Sequence, residues 1–136
     1  MKVLFDTNII LDFALQREEH FNFAIKLFEL IENRAIKAYL TATTITDIYY
    51  ITKKIKDHRV AINFIKSLVN LFEVLNIDKR VIVKSLELDS PDFEDSVQSM
   101  AANFNGVNTI ITRNVKDFNF EEINALTPKE FLKKYK

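Results

Sequence analysis

The sequence predicts an α/β protein: a three-layer α/β/α sandwich around a mainly parallel central sheet, one domain spanning residues 1–136. Three observations predict it. Short apolar runs alternate with longer amphipathic stretches along the whole chain. No repeat, low-complexity tract or Pro/Gly/Ser-rich linker divides it. Strands that alternate with helices are most simply satisfied by a parallel sheet covered on both faces, and 136 residues suffice to bury such a core.

The elements follow in order. Lys2 to Phe5 (KVLF) reads as a buried strand, after which Asn8 is a candidate cap for a short helix through about Leu15. Phe21, Ala24, Ile25, Phe28 and Ile31 fall at helical spacing, in a helix ending near Asn33. AYLTA (38–42) is a second strand, followed by a helix over TITDIYYITKK. Val60, Phe64, Ile65, Leu68 and Phe72 mark the next long helix, and FEVLNI a third strand. A short helix over roughly 78–88 precedes the break LDSPD. Ser90 and Pro91 then start a helix with a hydroxyl cap and proline at the first position. It runs to about Phe104, where Asn105-Gly106 supplies a left-handed stop. NTIIT (108–112) is a fourth strand, NALTP holds a short fifth, and PKEFLKKY is a terminal helix with proline at its start.

Composition narrows the function. Basic and acidic residues number 19 each, so the formal net charge is zero, which argues against a dedicated duplex-DNA binder. The chain has a single glycine, Gly106, and both the Walker phosphate loop and the dinucleotide fingerprint need several in one turn. Nucleotide binding by those routes is excluded. Without cysteine there is no disulfide framework and no thiolate metal site. No apolar run approaches the roughly 20 residues of a membrane span, and the N-terminus lacks the marks of a signal peptide. The expected location is the cytoplasm, with no membrane partner.

In parallel sheets, sites gather beyond the carboxyl ends of the strands. Asp6 ends the first strand, and Asp47 lies in the helix after the second, among Ile45, Ile48 and Tyr49. Asp95 lies in the opening turns of the helix begun at Ser90, and Asn114 and Asp117 follow the fourth strand in TRNVKDF. Each has a purely structural reading as well. Asp6 can cap a helix, Asp47 can face water, and Asp117 can make an Asx-turn. Asp92, Glu94 and Asp95 can complement a helix dipole. Together they converge: neighbouring carboxylates at strand ends repel one another, and a hard divalent cation removes the conflict. Mg²⁺ or Mn²⁺ at such a site suits phosphodiester cleavage, because it lowers the pKa of a bound water and steadies phosphate charge.

FDTNIILD, TDIYYI, DFEDSVQSMAA and IITRNVKDF, in that order, resemble the PIN-domain family, specifically small PIN proteins like the VapC toxins. The resemblance implies the same α/β/α sandwich and an endoribonuclease dependent on Mg²⁺ or Mn²⁺. It also implies a cognate antitoxin partner, an RNA substrate and a homodimer. Under it, Asp6 is the first-strand acid and a direct metal ligand. Asp47 takes the second acidic position, where the family more often has Glu, and Asp95 the third. At the fourth, many relatives carry an acid where Asn114 stands, so Asp117 is the alternative carboxylate. The metal set is then Asp6, Asp95 and Asp117, with Asp47 as a further catalytic acid and Asp92 in reserve. Thr7, Asn8, Thr112 and Asn114 are neutral supports, and Arg113 and Lys116 are expected on the RNA backbone.

The other readings are separable. A second basic group, Lys53, Lys54, Lys56, His58 and Arg59, reads as a solvated helix end. His20 and His58 have no partner at metal-ligand spacing and are expected at the surface, and Tyr49 and Tyr50 as core. A haloacid-dehalogenase-type phosphatase needs a second Asp two residues after the first, where this chain has Asn8. A non-catalytic PIN-like module binding RNA or protein is the remaining alternative, against which stands the retained set of acids.

Overall fold

Val3, Leu4 and Phe5 are all fully buried, yet they alternate between two separate cores. A strand covered on both faces belongs in the interior of a parallel sheet, and the computed structural model places it there. The structure describes residues 1–134. Strand β1 (Lys2–Phe5) is central to a five-stranded sheet of order β3-β2-β1-β4-β5, formed with β2 (Lys37–Thr41), β3 (Glu73–Leu75), β4 (Thr109–Ile111) and β5 (Asn124–Leu126). Every pairing is parallel, and Leu4 lies opposite Tyr39 on one side and Ile110 on the other.

Helices fill both outer layers. Val3 and Phe5 pack against residues of α1 (Thr7–Ala14), α2 (Phe21–Glu32), α3 (Ala42–Ile55), α4 (His58–Leu71) and α7 (Pro128–Lys134), including Ile10, Phe28, Ile48, Leu68 and Phe131. Phenylalanines dominate this side: Phe13 stacks on Phe28 with centroids 4.0 Å apart, and Phe5 meets Phe28 and Phe72 edge-on. Leu4 and Ile110 face the other layer, where α5 (Lys79–Glu87) and α6 (Phe93–Phe104) contribute Val81, Val97, Ala101 and Ala102. The small residues of α6 let its backbone approach the sheet closely, which matters for the site below. The predicted sandwich is the fold observed.

Several boundaries move. Asp6 rather than Asn8 caps α1, because the chain turns helical at once beyond β1. Asp92 rather than Ser90 caps α6: its Oδ1 accepts from the Asp95 N–H at 3.2 Å, a charged acceptor outcompeting a hydroxyl, and Pro91 stays outside the helix. Thr41 caps α3, which therefore begins at Ala42. The third strand shortens to Glu73–Leu75 because Phe72 closes α4. Gly106, at φ +70°, makes the expected left-handed stop after α6. Tyr50 is 66% exposed and not core. Tyr135, assigned to the terminal helix, lies outside the described residues.

This order creates one switch point. From β1 the chain crosses to β2 on one side, while β4 joins β1 on the other. The crevice beyond the ends of β1 and β4 is where an open parallel sheet accepts a ligand.

Candidate active site

Asp6 stands at that crevice. Its N–H donates to the Ile111 carbonyl at 3.0 Å, extending the β1–β4 ladder by one residue and fixing its position. Its side chain is 5% exposed and takes neutral donors on both oxygens. Oδ1 accepts from the Thr7 N–H at 2.8 Å and from Gln98 Nε2 at 3.1 Å, and Oδ2 accepts from the Thr112 hydroxyl at 2.8 Å. Burial pushes its carboxyl above the ordinary range, these hydrogen bonds pull against that, and Asp92 adds repulsion. Among the described residues Asp6 has no cationic partner.

Helix α6 supplies the opposite wall. Asp95 and Gln98 are three residues apart and so share a helix face, and both are buried. Burial first, then repulsion from Asp6, Asp92 and Asp117, pushes the Asp95 carboxyl up to about 7. Half-buried Glu94 is pushed up to about 8, first by burial, then by a hydrogen bond and repulsion with Asp47, with Asp6 and Asp92 adding to it. Asp47 reaches this group from α3, one turn beyond Thr44, whose hydroxyl lies 2.9 Å from that of Thr7. A hydroxyl chain from Thr41 through Thr44 to Thr7 thus ties the start of α3 to that of α1.

The four sequence-predicted acids therefore share one electrostatic neighbourhood, and Asp92 and Glu94 join them. Asp117 sits exposed on a 3-10 turn over Val115–Phe118 and, with Asp92 and Lys116, borders a hollow of about 320 Å³. Asn114 faces a different hollow, and its N–H donates to the Thr112 hydroxyl at 3.0 Å. Asn8 is half-buried in the first turn of α1. Arg113 does not extend freely: its Nε lies 3.1 Å from Asp12 Oδ2, and its Nη1 lies 3.2 Å from His20 Nε2. His20 is therefore half-buried and not the surface residue expected, because Arg113 draws it in. His58 also has a partner, the Tyr49 hydroxyl at 2.8 Å.

Sequence reasoning missed Glu94, Gln98 and Asp12. Gln98 was legible as the residue one turn after Asp95 on the same face. Asp12 was legible as a lone acid in the apolar run IILDFA. Among the described residues no three His, Asp or Glu side chains stand as a finished ligand set. A Mg²⁺ site does not need one, since that ion keeps several waters and takes only one or two carboxylates. The donors here are all oxygen, buried in part, and raised in pKa by burial first and by one another's charge second, and they fit a hard divalent cation.

Comparison with known proteins adds four findings. A family model described as PIN domain matches residues 2–116. The chain is 28% identical over 139 residues to Ribonuclease VapC1 of Aquifex aeolicus, covering 98% of this chain and 95% of that protein. Its fold is similar to that of VapBC2 from Rickettsia felis bound to a DNA fragment from their promoter, with a TM-score of 0.73, 15% identity, and 93% and 98% of the two chains covered. A toxin–antitoxin complex from Klebsiella pneumoniae is likewise similar, with a TM-score of 0.70, 23% identity, and 93% and 97% covered. At those identities the structures speak for the fold alone.

Proposed function

The chain belongs to the PIN-domain family, and from that premise we propose that it is a divalent-metal-dependent endoribonuclease of single-stranded RNA, the toxin of a toxin–antitoxin pair. One observation carries the reading. Asp6 is buried at the switch point of the sheet, held by neutral donors only, within a ring of further carboxylates. A buried carboxylate without a cation is costly, and this arrangement retains one for a cation from outside the chain.

Asp6 and Asp95 would hold Mg²⁺ or Mn²⁺, with exposed Asp117 a further acid beside them on the 3-10 turn. When bound, the ion supplies positive charge to the phosphate and acidifies a water to give a nucleophile near neutral pH. The chain does the rest. Gln98 and Thr112 fix both oxygens of Asp6, so that it cannot turn away from the crevice. Glu94, pushed up to about 8 by burial and then by its hydrogen bond and repulsion with Asp47, would hold a proton at neutral pH at the edge of the site. Lys116, exposed beside Asp117, would meet the RNA backbone.

The name Ribonuclease VapC1 on the Aquifex aeolicus relative supports nuclease activity, and the toxin–antitoxin complexes among the structural neighbours support an antitoxin partner. A homodimer is part of the same proposal, and exposed Ile82, Val83, Leu86 and Phe93 offer it an apolar face. No helix among the described residues is long and apolar enough to cross a membrane.

The test is cleavage of end-labelled single-stranded RNA by purified protein. We expect internal cuts with Mg²⁺ or Mn²⁺ and none with EDTA, and Asp6→Asn should lower the rate by at least about a hundredfold. Undiminished cutting in EDTA, or by the variant, would remove the metal from the reading. Preference for single-stranded DNA would reassign the substrate.

A further inference from the structure

We propose that the hollow bounded by His20, Phe23, Arg113, Asn114, Pro128 and Lys129 is a nucleotide-binding pocket, seating one nucleotide of the substrate strand beside the carboxylates. The inference rests on the nuclease reading and says where the strand is gripped.

The pocket encloses about 370 Å³, within the range of small-ligand sites. Its wall is continuous with the acid site, since the Asn114 N–H holds the Thr112 hydroxyl that in turn holds Asp6. A group seated here lies next to the reacting phosphate.

Its chemistry suits a nucleotide. Phe23 and Pro128 give apolar surface for the face of a base, and stacking of that kind is tolerant of sequence. Asn114 brings an amide, which can donate to and accept from a base edge. Arg113 is already oriented: it ion-pairs with Asp12, which is 2% exposed, through a 3.1 Å Nε–Oδ2 approach that lacks hydrogen-bond geometry, and His20 lies against Nη1. Asp12 also pairs with Arg17 at 3.4 Å, so one buried carboxylate stands against two guanidiniums, and exposed Lys129 adds a third positive charge. The charged residues of the lining itself, Arg113 and Lys129, are both cationic, with Asp12 behind Arg113 and Glu130 turned back onto Thr127, while the adjoining Asp6 cluster is anionic. Phosphate is drawn to the first and a metal ion to the second, which orients a strand across the boundary between them.

Two variants test this, Lys129→Glu on the exposed rim and Phe23→Ala on the apolar wall, with Lys66→Glu on the exposed side of α4 as control. The substrate is fluorescein-labelled single-stranded RNA of mixed sequence with Mg²⁺. The expected result is a KM raised about five- to tenfold by each pocket variant, with the loss falling on KM more than on kcat. Phe23→Ala should also redistribute the preferred cut sites, and Lys66→Glu should match wild type. If KM stays within about twofold of wild type in both pocket variants, the proposal is overturned, as it would be for a pocket that takes a protein partner's side chain. Should wild-type protein bind this RNA without cutting it, the nuclease reading fails. Fluorescence polarisation then decides the pocket alone: weaker binding by both variants upholds it, and unchanged binding overturns it.

Discussion

Asp6 and Asp12 lie six residues apart, one capping α1 and the other within it, and they are 5% and 2% exposed. Their surroundings differ in kind. Asp12 has Arg17 on one oxygen and Arg113 on the other, at 3.4 and 3.1 Å. Asp6 has an amide N–H, a carboxamide and a hydroxyl, and its near charged neighbours are other acids. Buried charge needs compensation. Where the chain supplies its own cations the acid is architectural, and where it supplies only neutral donors the acid is kept available for a partner. Burial alone does not separate the two cases; the sign of what surrounds each acid does.

Neutralising each acid in turn is the sharpest way to break this contrast. Asp6→Asn should abolish metal-dependent cleavage while leaving thermal stability unchanged or higher, because it removes a buried charge that no protein cation compensates. Asp12→Asn should do the reverse. Its arginines are about a third exposed and regain water, so the loss is moderate, about 1–3 kcal/mol in urea unfolding. Cleavage by the folded protein should fall far less than with Asp6→Asn. If Asp6→Asn unfolds the chain and Asp12→Asn stops the chemistry, the roles are exchanged.

A smaller effect comes from pH. Asp95 and Glu94 bind their protons more tightly when folded, with values near 7 and 8 against ordinary carboxylate values when unfolded. The folded protein therefore holds more protons across that window. Stability from these groups is full below the ordinary carboxylate range and declines as pH rises through about 4 to 8. A bound cation reverses the decline by favouring the ionised forms. Millimolar Mg²⁺ should thus raise Tm by a few degrees at pH 8 and by little at pH 5. Equal shifts at both pH values would show that the ion binds away from the acid cluster.

Much of this was legible in the sequence, for identifiable reasons. Strand β1 is uniformly apolar because both faces are covered, and Asp6 is conspicuous because it interrupts that run. Asp95 followed from its place early in a helix. Glu94 reads in sequence as a dipole partner because nothing in one dimension shows that α3 carries Asp47 across to it; that contact joins two separate helices. Arg113 was expected on RNA because it adjoins the acids, and its tie to Asp12 and His20 depends on helix packing that periodicity does not report. Asn114 and Asp117 part in space: Asp117 borders a hollow with Asp92, and Asn114 borders the pocket that holds Arg113 and Lys129.

The finest test of the contrast lies in Gln98, whose Nε2 holds Asp6 while its Oε1 is buried without a hydrogen-bond partner among the described residues. An unmade buried hydrogen bond costs about 1–3 kcal/mol. Gln98→Met, similar in volume, removes the stranded oxygen together with the donated bond. The two effects oppose each other, so stability should stay within about 1 kcal/mol of wild type. Asp6 then loses one of its donors and its fixed orientation, and the RNA cleavage rate should fall about five- to tenfold, most of it in kcat. Gln98→Glu keeps the shape but adds an acid to a crowded cluster, and should need more Mg²⁺ to reach the same rate. A Gln98→Met protein with wild-type kcat but clearly reduced stability would show that the side chain packs the interior and does not position Asp6.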